Sequence, residues 1–288
     1  MRKIIVNADD FGRHTLINQA VVKGVQTGFL RSATLMPGGA AFAEAVHIAE
    51  ANPKLGVGVH FTLVNGTPVL PPADIPSLTT DNGKFYDDYG SFMQRYLRGK
   101  ISLTEVQAEL AAQLNKVQNT KLNITHADSH QHLHHLPGIL GTVLSLAQAA
   151  GIKCLRAARP KFTVQAPRSS AGESGGLKQM IGRLGLTTLG ELTAYRAKRK
   201  NFRVPDHFMG IVAGEAITET KMRQFIRTMP EGVTEIMLHP GLNNAVLAQE
   251  CGWAHDFEAE LNAVTAANII VMLKERQIIP INFGELSA

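Results

Sequence analysis

Short runs of apolar and β-branched residues alternate along this chain with longer stretches whose apolar positions recur every three or four residues. The short runs predict seven strands, at residues 3–8, 31–36, 56–61, 123–128, 152–156, 235–239 and 278–283. The longer stretches predict helices over residues 16–28, 41–51, 103–119, 138–150, 219–229 and 257–276. The third helix opens on Ser102-Leu103-Thr104-Glu105, a capping box in which hydroxyl and carboxylate each accept a free backbone N–H. Leu103, Val106, Leu110, Leu114 and Val117 then give it one buried face. Pro137 is placed for the first turn of the next helix, where a missing N–H costs nothing. Strands alternating with helices imply parallel βαβ units and an α/β fold. An open doubly wound sheet and a closed barrel satisfy that pattern equally. Two long connections, 64–99 and 160–206, are rich in Pro, Gly, Asp or basic residues. Long loops after strands lie at the catalytic face of α/β folds, so both are expected to shape a cleft.

Composition narrows the class. With 288 residues, 44% of them hydrophobic, the chain can bury one large core, and residues 1–288 read as a single catalytic domain. No stretch approaches the roughly 20 apolar residues of a membrane span. The first residues reach Asp9 and Asp10 too soon for a secretory signal. Cys154 and Cys251 are too few for a disulfide framework, so a cytoplasmic location is expected. The net charge of +5 concentrates in Arg196, Lys198, Arg199, Lys200 and Arg203, with Lys161, Arg168, Lys178 and Arg183 upstream. No aromatic ladder or nucleic-acid motif accompanies this run, which reads as solvated surface rather than a nucleic-acid site. A homo-oligomer is compatible with all of this. G-x-S-x-G, Walker A and Rossmann glycine patterns are absent.

The candidate chemistry lies at predicted strand ends. Strand one ends in Asp9-Asp10, strand three in His60, strand four in Asp128 and His130, and a late strand in His239. C-terminal strand ends of a parallel fold converge on one face. Two adjacent carboxylates stay charged only beside positive charge, which a divalent cation supplies. On a regular strand they point to opposite faces, so the chain must twist there, and Gly12 is a plausible aid. One carboxylate can then bind metal while the other serves as base; a helix N-cap is the bland alternative. His126, His130, His132, His134 and His135 are five of the chain's eleven histidines. His126, Asp128, His130, His132 and His134 alternate, so an extended segment would face them alike. Imidazole with carboxylate suits Zn²⁺ and its first-row neighbours, and holds Mg²⁺ more weakly. Not all can be ligands. His14, His47, His207 and His255 read as bland, and Cys154 as core.

Four motifs carry a resemblance: Val6-Asn7-Ala8-Asp9-Asp10-Phe11-Gly12; Gly58-Val59-His60; Thr125-His126-Ala127-Asp128-Ser129-His130-Gln131-His132-Leu133-His134; and Leu238-His239-Pro240-Gly241. With the ending Pro280-Ile281-Asn282-Phe283-Gly284-Glu285-Leu286, the set resembles the YdjC-like carbohydrate deacetylase family. That family includes the chitooligosaccharide deacetylases and the hopanoid-associated HpnK proteins, and residues 68–76 look closer to the latter. The resemblance implies an irregular TIM-like (β/α) barrel with about seven parallel strands. It implies one divalent metal ion, Mg or Zn, on Asp10, His60 and His130, with Asp9 as general base. His239 corresponds to the group that protonates the leaving amine. Asp128, His132 or His134 would orient the ligands, and Arg156 stands among the supporting or substrate-contacting residues. An acid that family members often carry after strand five is absent from Arg156-Ala157-Ala158-Arg159-Pro160. The implied reaction removes an N-acetyl group from an amino sugar or oligosaccharide. Alternatives are a metal-dependent phosphoesterase or other amidohydrolase, served by the basic run, and a non-catalytic sugar-binding protein.

Overall fold

A computed structural model describes residues 1–159, 173–210 and 216–286, with backbone alone over 173–184. Among the described residues are eight strands: β1 (Arg2–Phe11), β2 (Ser32–Leu35), β3 (Gly56–Phe61), β4 (Ile124–Ser129), β5 (Cys154–Leu155), β6 (His207–Met209), β7 (Gly232–Leu238) and β8 (Ile279–Ile281). The helices are α1 (Thr15–Thr27), α2 (Phe42–Ala51), α3 (Tyr89–Leu97), α4 (Leu103–Gln118), α5 (Ile139–Ala149) and α6 (Glu173–Arg199), then α7 (Glu219–Thr228), α8 (Asn244–Cys251), α9 (Phe257–Thr265) and α10 (Ala267–Glu275). Seven strands form a curled sheet in the order β5-β4-β3-β2-β1-β7-β6, and β8 pairs with the first half of β1. Every pairing is parallel. One further parallel bridge joins Cys154 to Arg203, four residues before β6, and brings the two edges of the sheet together. The result is an irregular TIM-like barrel.

Alternation along the strands sorts the side chains. Ile4, Val6 and Ala8 of β1 join Ala33, Leu35, Val57, Val59, Ala127, Ile236 and Leu238 in the large core shared with the helices. The opposite face points into the barrel. Its floor is apolar, made by Ile5, Cys154, Ile281, Phe283 and Leu286. Above that floor the interior is polar: Asn7, Ser32, Thr34, His126, Asp128, Arg156 and Glu235 are all fully buried. Barrels of this kind usually fill that layer with branched aliphatics. A polar layer holds only if its groups find partners. His126 stacks on Phe283 at 3.8 Å between ring centroids, and its Nε2 donates to Asn7 Oδ1 at 3.2 Å.

The connections carry more structure than their composition suggested. Within 64–99, α3 forms, and α4 pins the rest from a row of polar side chains one turn apart. Glu109 accepts the N–H groups of Val69 and Leu70, and Gln113 that of Thr62. Glu105 accepts the Ser77 N–H, so the expected capping box is half made, with Ser102 Oγ accepting from Glu105 N. Within 160–206, residues 160–172, including Lys161 and Arg168, lie outside the described residues. Residues from 173 form the long helix α6, which carries Lys178 and Arg183 and, in its last turn, Arg196, Lys198 and Arg199 of the basic run. Cations there face the negative end of the helix dipole, which accounts for the run without a ligand. The helix predicted over 257–276 breaks into α9 and α10, because the Val264 carbonyl accepts from Phe29 N instead of continuing the helical ladder. Three residues suffice for β6, too few to leave a period.

Gly58 lies flat under the His126 ring: a Cβ built there would sit 2.5 Å from Cε1 and 2.6 Å from Nδ1. Gly58→Ala is expected to displace that ring and lower stability by about 1–3 kcal/mol in urea denaturation, the usual cost of overpacking a core.

Candidate metal centre

The backbone resolves how two consecutive aspartates serve one site. Asp10 takes a left-handed conformation at φ 60°, and the pairing with β2 shifts register between Ala8 and Phe11. Gly12 follows at φ 91°, its N–H held by Asn18 Oδ1 at 2.8 Å. The kink leaves Asp9 inside the barrel and carries Asp10 to its rim. β3 brings His60 beside them, and β4 brings Asp128 and, just past its end, His130.

Asp10 Oδ1 lies 3.3 Å from His60 Nε2 and 2.9 Å from His130 Nδ1. Bonds of about 2.1 Å to one cation put neighbouring ligand atoms about 3.0 to 3.4 Å apart. Asp10 Oδ1 and His60 Nε2 are buried and make no hydrogen bond. The donor set therefore fits a divalent ion. His60 Nδ1 donates to Asp128 Oδ1 at 2.7 Å, which turns Nε2 towards Asp10, the carboxylate–histidine arrangement that commonly orients metal ligands. Arg13 Nη1 reaches Asp10 Oδ2 at 3.1 Å. Burial works to lower the His60 pKa, but the carboxylates of Asp128, Asp10 and Asp9 push it up to about 10. Burial likewise works to raise the Asp10 pKa, yet His130 and Arg13 hold it well below the carboxylate range.

Beneath this group sits a guanidinium. Arg156 meets Asp9 through two hydrogen bonds of 2.6 and 2.7 Å, Asp128 Oδ2 at 2.6 Å and Glu235 Oε1 at 2.7 Å. Asn7 Nδ2 adds a bond to Asp9 Oδ1 at 2.8 Å. Arg156 is absent from the pocket wall, and its contacts are to the chain's own carboxylates. Burial raises the Asp9 pKa in principle, but Arg156 overrides it and keeps the carboxyl ionised far below its usual range. Glu235, more weakly compensated, is pushed up to about 7 by burial. Asp9, His60 and Asp128 also lie close enough to suggest a cation. Arg156 already bridges the two carboxylates there.

The expected alternation of histidines ends at His130. Gln131 and His132 adopt left-handed φ values of 51° and 57°, so the even positions diverge. His132 lines the pocket. His134 turns away: its Nε2 donates to the Arg156 carbonyl at 3.1 Å and its Nδ1 meets Ser129 Oγ at 2.6 Å. It supports β4 against β5 and touches none of the three candidate ligands. His239, after β7, stands on the pocket wall with Asp9, Arg13, His130 and Trp253. His255, read as bland, lines the same pocket, and with Glu260 it comes within ligand distance of His239. Asn7, Glu235, Trp253 and Glu260 went unmarked in the sequence. Asn7 and Glu235 alternate inward on strands, a signal visible once the strands are placed; Trp253 lies in a loop with no period to mark it.

Fold and site together define a class: parallel α/β barrels whose C-terminal mouth carries buried Asp and His groups able to hold a cation. The chain belongs to the YdjC-like protein family, whose profile matches residues 3–275. It is 31% identical over 285 residues to a carbohydrate deacetylase of Brevibacillus brevis, covering 99% of each chain. It is 29% identical over 287 residues to a carbohydrate deacetylase of Geobacillus stearothermophilus, covering 99% of this chain and 98% of that one. A solved Enterococcus faecalis protein, proposed to cleave cellobiose-phosphate, is similar with a TM-score of 0.74 and 27% identity, covering 100% of this chain and 99% of that one.

Two outcomes follow from the buried charges. Arg156→Met strands three carboxylates and should cost about 3–5 kcal/mol, the usual penalty for breaking a buried ion pair. Without the cation their pKa values rise, which favours the fold at low pH, so the deficit in chemical denaturation should be smaller at pH 5 than at pH 8. Burial lowers the His126 pKa to about 3 and that of His134 to about 4, from 6.5. The unfolded chain therefore takes up protons first. Stability is complete above about pH 6.5 and should fall as pH drops towards 4. His134→Asn should flatten that slope in thermal melts while costing about 1–3 kcal/mol at neutral pH through its lost hydrogen bonds.

Proposed function

We propose that this chain is a metal-dependent deacetylase that removes the N-acetyl group from an amino sugar or oligosaccharide, with residues 1–288 acting as one catalytic domain. The observation that carries this reading is the convergence of Asp10 Oδ1, His60 Nε2 and His130 Nδ1 at the barrel mouth, two of the three atoms buried without partners. Relatives named carbohydrate deacetylase, matched along nearly the whole chain, supply the substrate class. One divalent ion, Mg²⁺ or Zn²⁺, on Asp10, His60 and His130 supplies Lewis acidity and acidified water when bound.

The chain's own residues do the rest. Asp128 holds the His60 ring in the tautomer that leaves Nε2 free. Arg156 and Asn7 occupy lone pairs on both Asp9 oxygens and fix the direction of the carboxylate. Oδ1 accepts from both Asn7 and Arg156, whereas Oδ2 accepts from Arg156 alone and keeps a lone pair to take a proton as water adds to the acetamide carbonyl. The clamp lowers the basicity of Asp9 and secures its aim, placing a charged acceptor where the proton leaves. His239 on the facing wall donates a proton to the departing nitrogen, so acetate and a free amine result. Trp253, on the same wall, offers an apolar face to a sugar ring.

The basic run that suited a phosphorylated substrate does not reach this pocket: none of residues 196–203 lines it. Among the described residues no helix is long and apolar enough to cross a membrane. Both cysteines are buried and unpaired, which supports the proposed cytoplasmic location.

The test is acetate release from N-acetylglucosamine oligomers, with and without chelator. Release should require the metal. Asp9→Asn should retain the metal and lose roughly 10²- to 10⁴-fold in rate, the range of general acid–base contributions. Full activity in that variant would remove Asp9 from its role; metal-loaded protein that releases no acetate from any acetylated amino sugar would remove the deacetylase reading.

A further inference from the structure

A second histidine pair lines the same pocket. His239, after β7, and His255, between α8 and α9, have ring centroids 5.7 Å apart and planes at 80°. The pair assigned above to the cation, His60 and His130, has centroids 5.6 Å apart and planes at 71°. Each pair has a buried carboxylate: Asp10 for the first, Glu260 on α9 for the second. One donor atom from each of His239, His255 and Glu260 lies within 4.8 Å of the others.

The electrostatics of this second group are incomplete. Glu260 is 2% exposed, and its oxygens accept the N–H groups of Ile217 and His239. That leaves one lone pair on each oxygen. Among the described residues its only ion-pair partner is His255, with Nε2 3.3 Å from Oε2. The His255 side chain is 3% exposed, yet neither ring nitrogen makes a hydrogen bond. An imidazole buried without partners has given up its hydration with nothing in return. Trp253 stacks on this ring at 4.1 Å and fixes its plane.

We propose that His239, His255 and Glu260 form a second divalent-cation site in the pocket, selective for zinc or a similar first-row ion. Two imidazoles with one carboxylate favour such ions over Mg²⁺ and Ca²⁺, which prefer all-oxygen sets. A consequence rests on the deacetylase reading, although the binding itself does not. If His239 coordinates through the nitrogen that carries the transferable proton, occupancy ends its proton donation. Excess zinc then inhibits the enzyme that a first equivalent of metal supports.

Metal counting on the chelator-stripped full chain, equilibrated with Zn²⁺, tests the site. Wild type should hold two zinc ions, and Glu260→Gln and His255→Gln one each. Asp10→Asn should hold one, and Asp10→Asn with His255→Gln none. Glu260→Gln keeps an acceptor for both backbone N–H groups, and circular dichroism verifies that each variant is folded. Co²⁺ bound to Asp10→Asn should give visible d–d bands that vanish in the double variant. A single zinc in wild type, or two in both His255→Gln and Glu260→Gln, overturns the site. In the activity arm, the second equivalent of zinc should lower wild-type acetate release by at least about tenfold, given what general acids contribute. Acetate release by a wild type that binds only one zinc per chain at saturation would sink this site and keep the deacetylase reading. Two zinc ions bound at saturation, with no acetate release even at one equivalent, would do the reverse.

Discussion

The guanidinium of Arg156 holds three carboxylates inside the barrel, and the arrangement of β1, β4, β5 and β7 depends on it. A charge of either sign taken from water into a protein interior costs several kcal/mol, recovered only by close, well-aligned partners. Arg156 supplies such partners in a planar fork that no lysine could match, two hydrogen bonds to Asp9, one to Glu235 and an ion pair with Asp128. Each partner comes from a different strand. Strand register is therefore set by charge as well as by the apolar face packed on the helices, since a one-residue slip would turn a carboxylate outward.

The same cation divides the labour at the mouth. Asp9 and Asp10 are neighbours in sequence, but the left-handed backbone at Asp10 separates their environments. Asp9 is drawn down to Arg156; Asp10 rises to meet His60 and His130. Asp128 links the two levels, ion-paired with Arg156 through one oxygen and hydrogen-bonded to His60 through the other. The interior reads in layers from floor to rim: apolar plug, neutral amide and imidazole, compensated charges, candidate cation ligands. Each layer supports the one above, so a substitution deep in the barrel moves the ligands it never touches.

Much of this was legible along the chain, and the residues show why. Asp9-Asp10, His60, Asp128, His130 and His239 stand at strand ends, and strands announce themselves by apolar period and β-branched content. The parallel barrel gathers those ends without further instruction. His255 and Glu260 were illegible, because one lies in a loop and the other on a helix whose pattern speaks only of its core face. Arg156 stood out as an arginine at a strand end, but its partners lie 147, 28 and 79 residues away along the chain and only folding brings them near.

Local periodicity and motif order thus determined the α/β class, the strand ends that face the site and the residue types able to hold a cation. Tertiary structure decided which of those residues meet. It turned His134 into a brace for β5, placed Arg156 under Asp9, and assembled a second histidine group that no spacing foretold. Period and motif report contacts within a few residues. Burial, charge compensation and the meeting of donor atoms depend on distances that only the closed barrel sets.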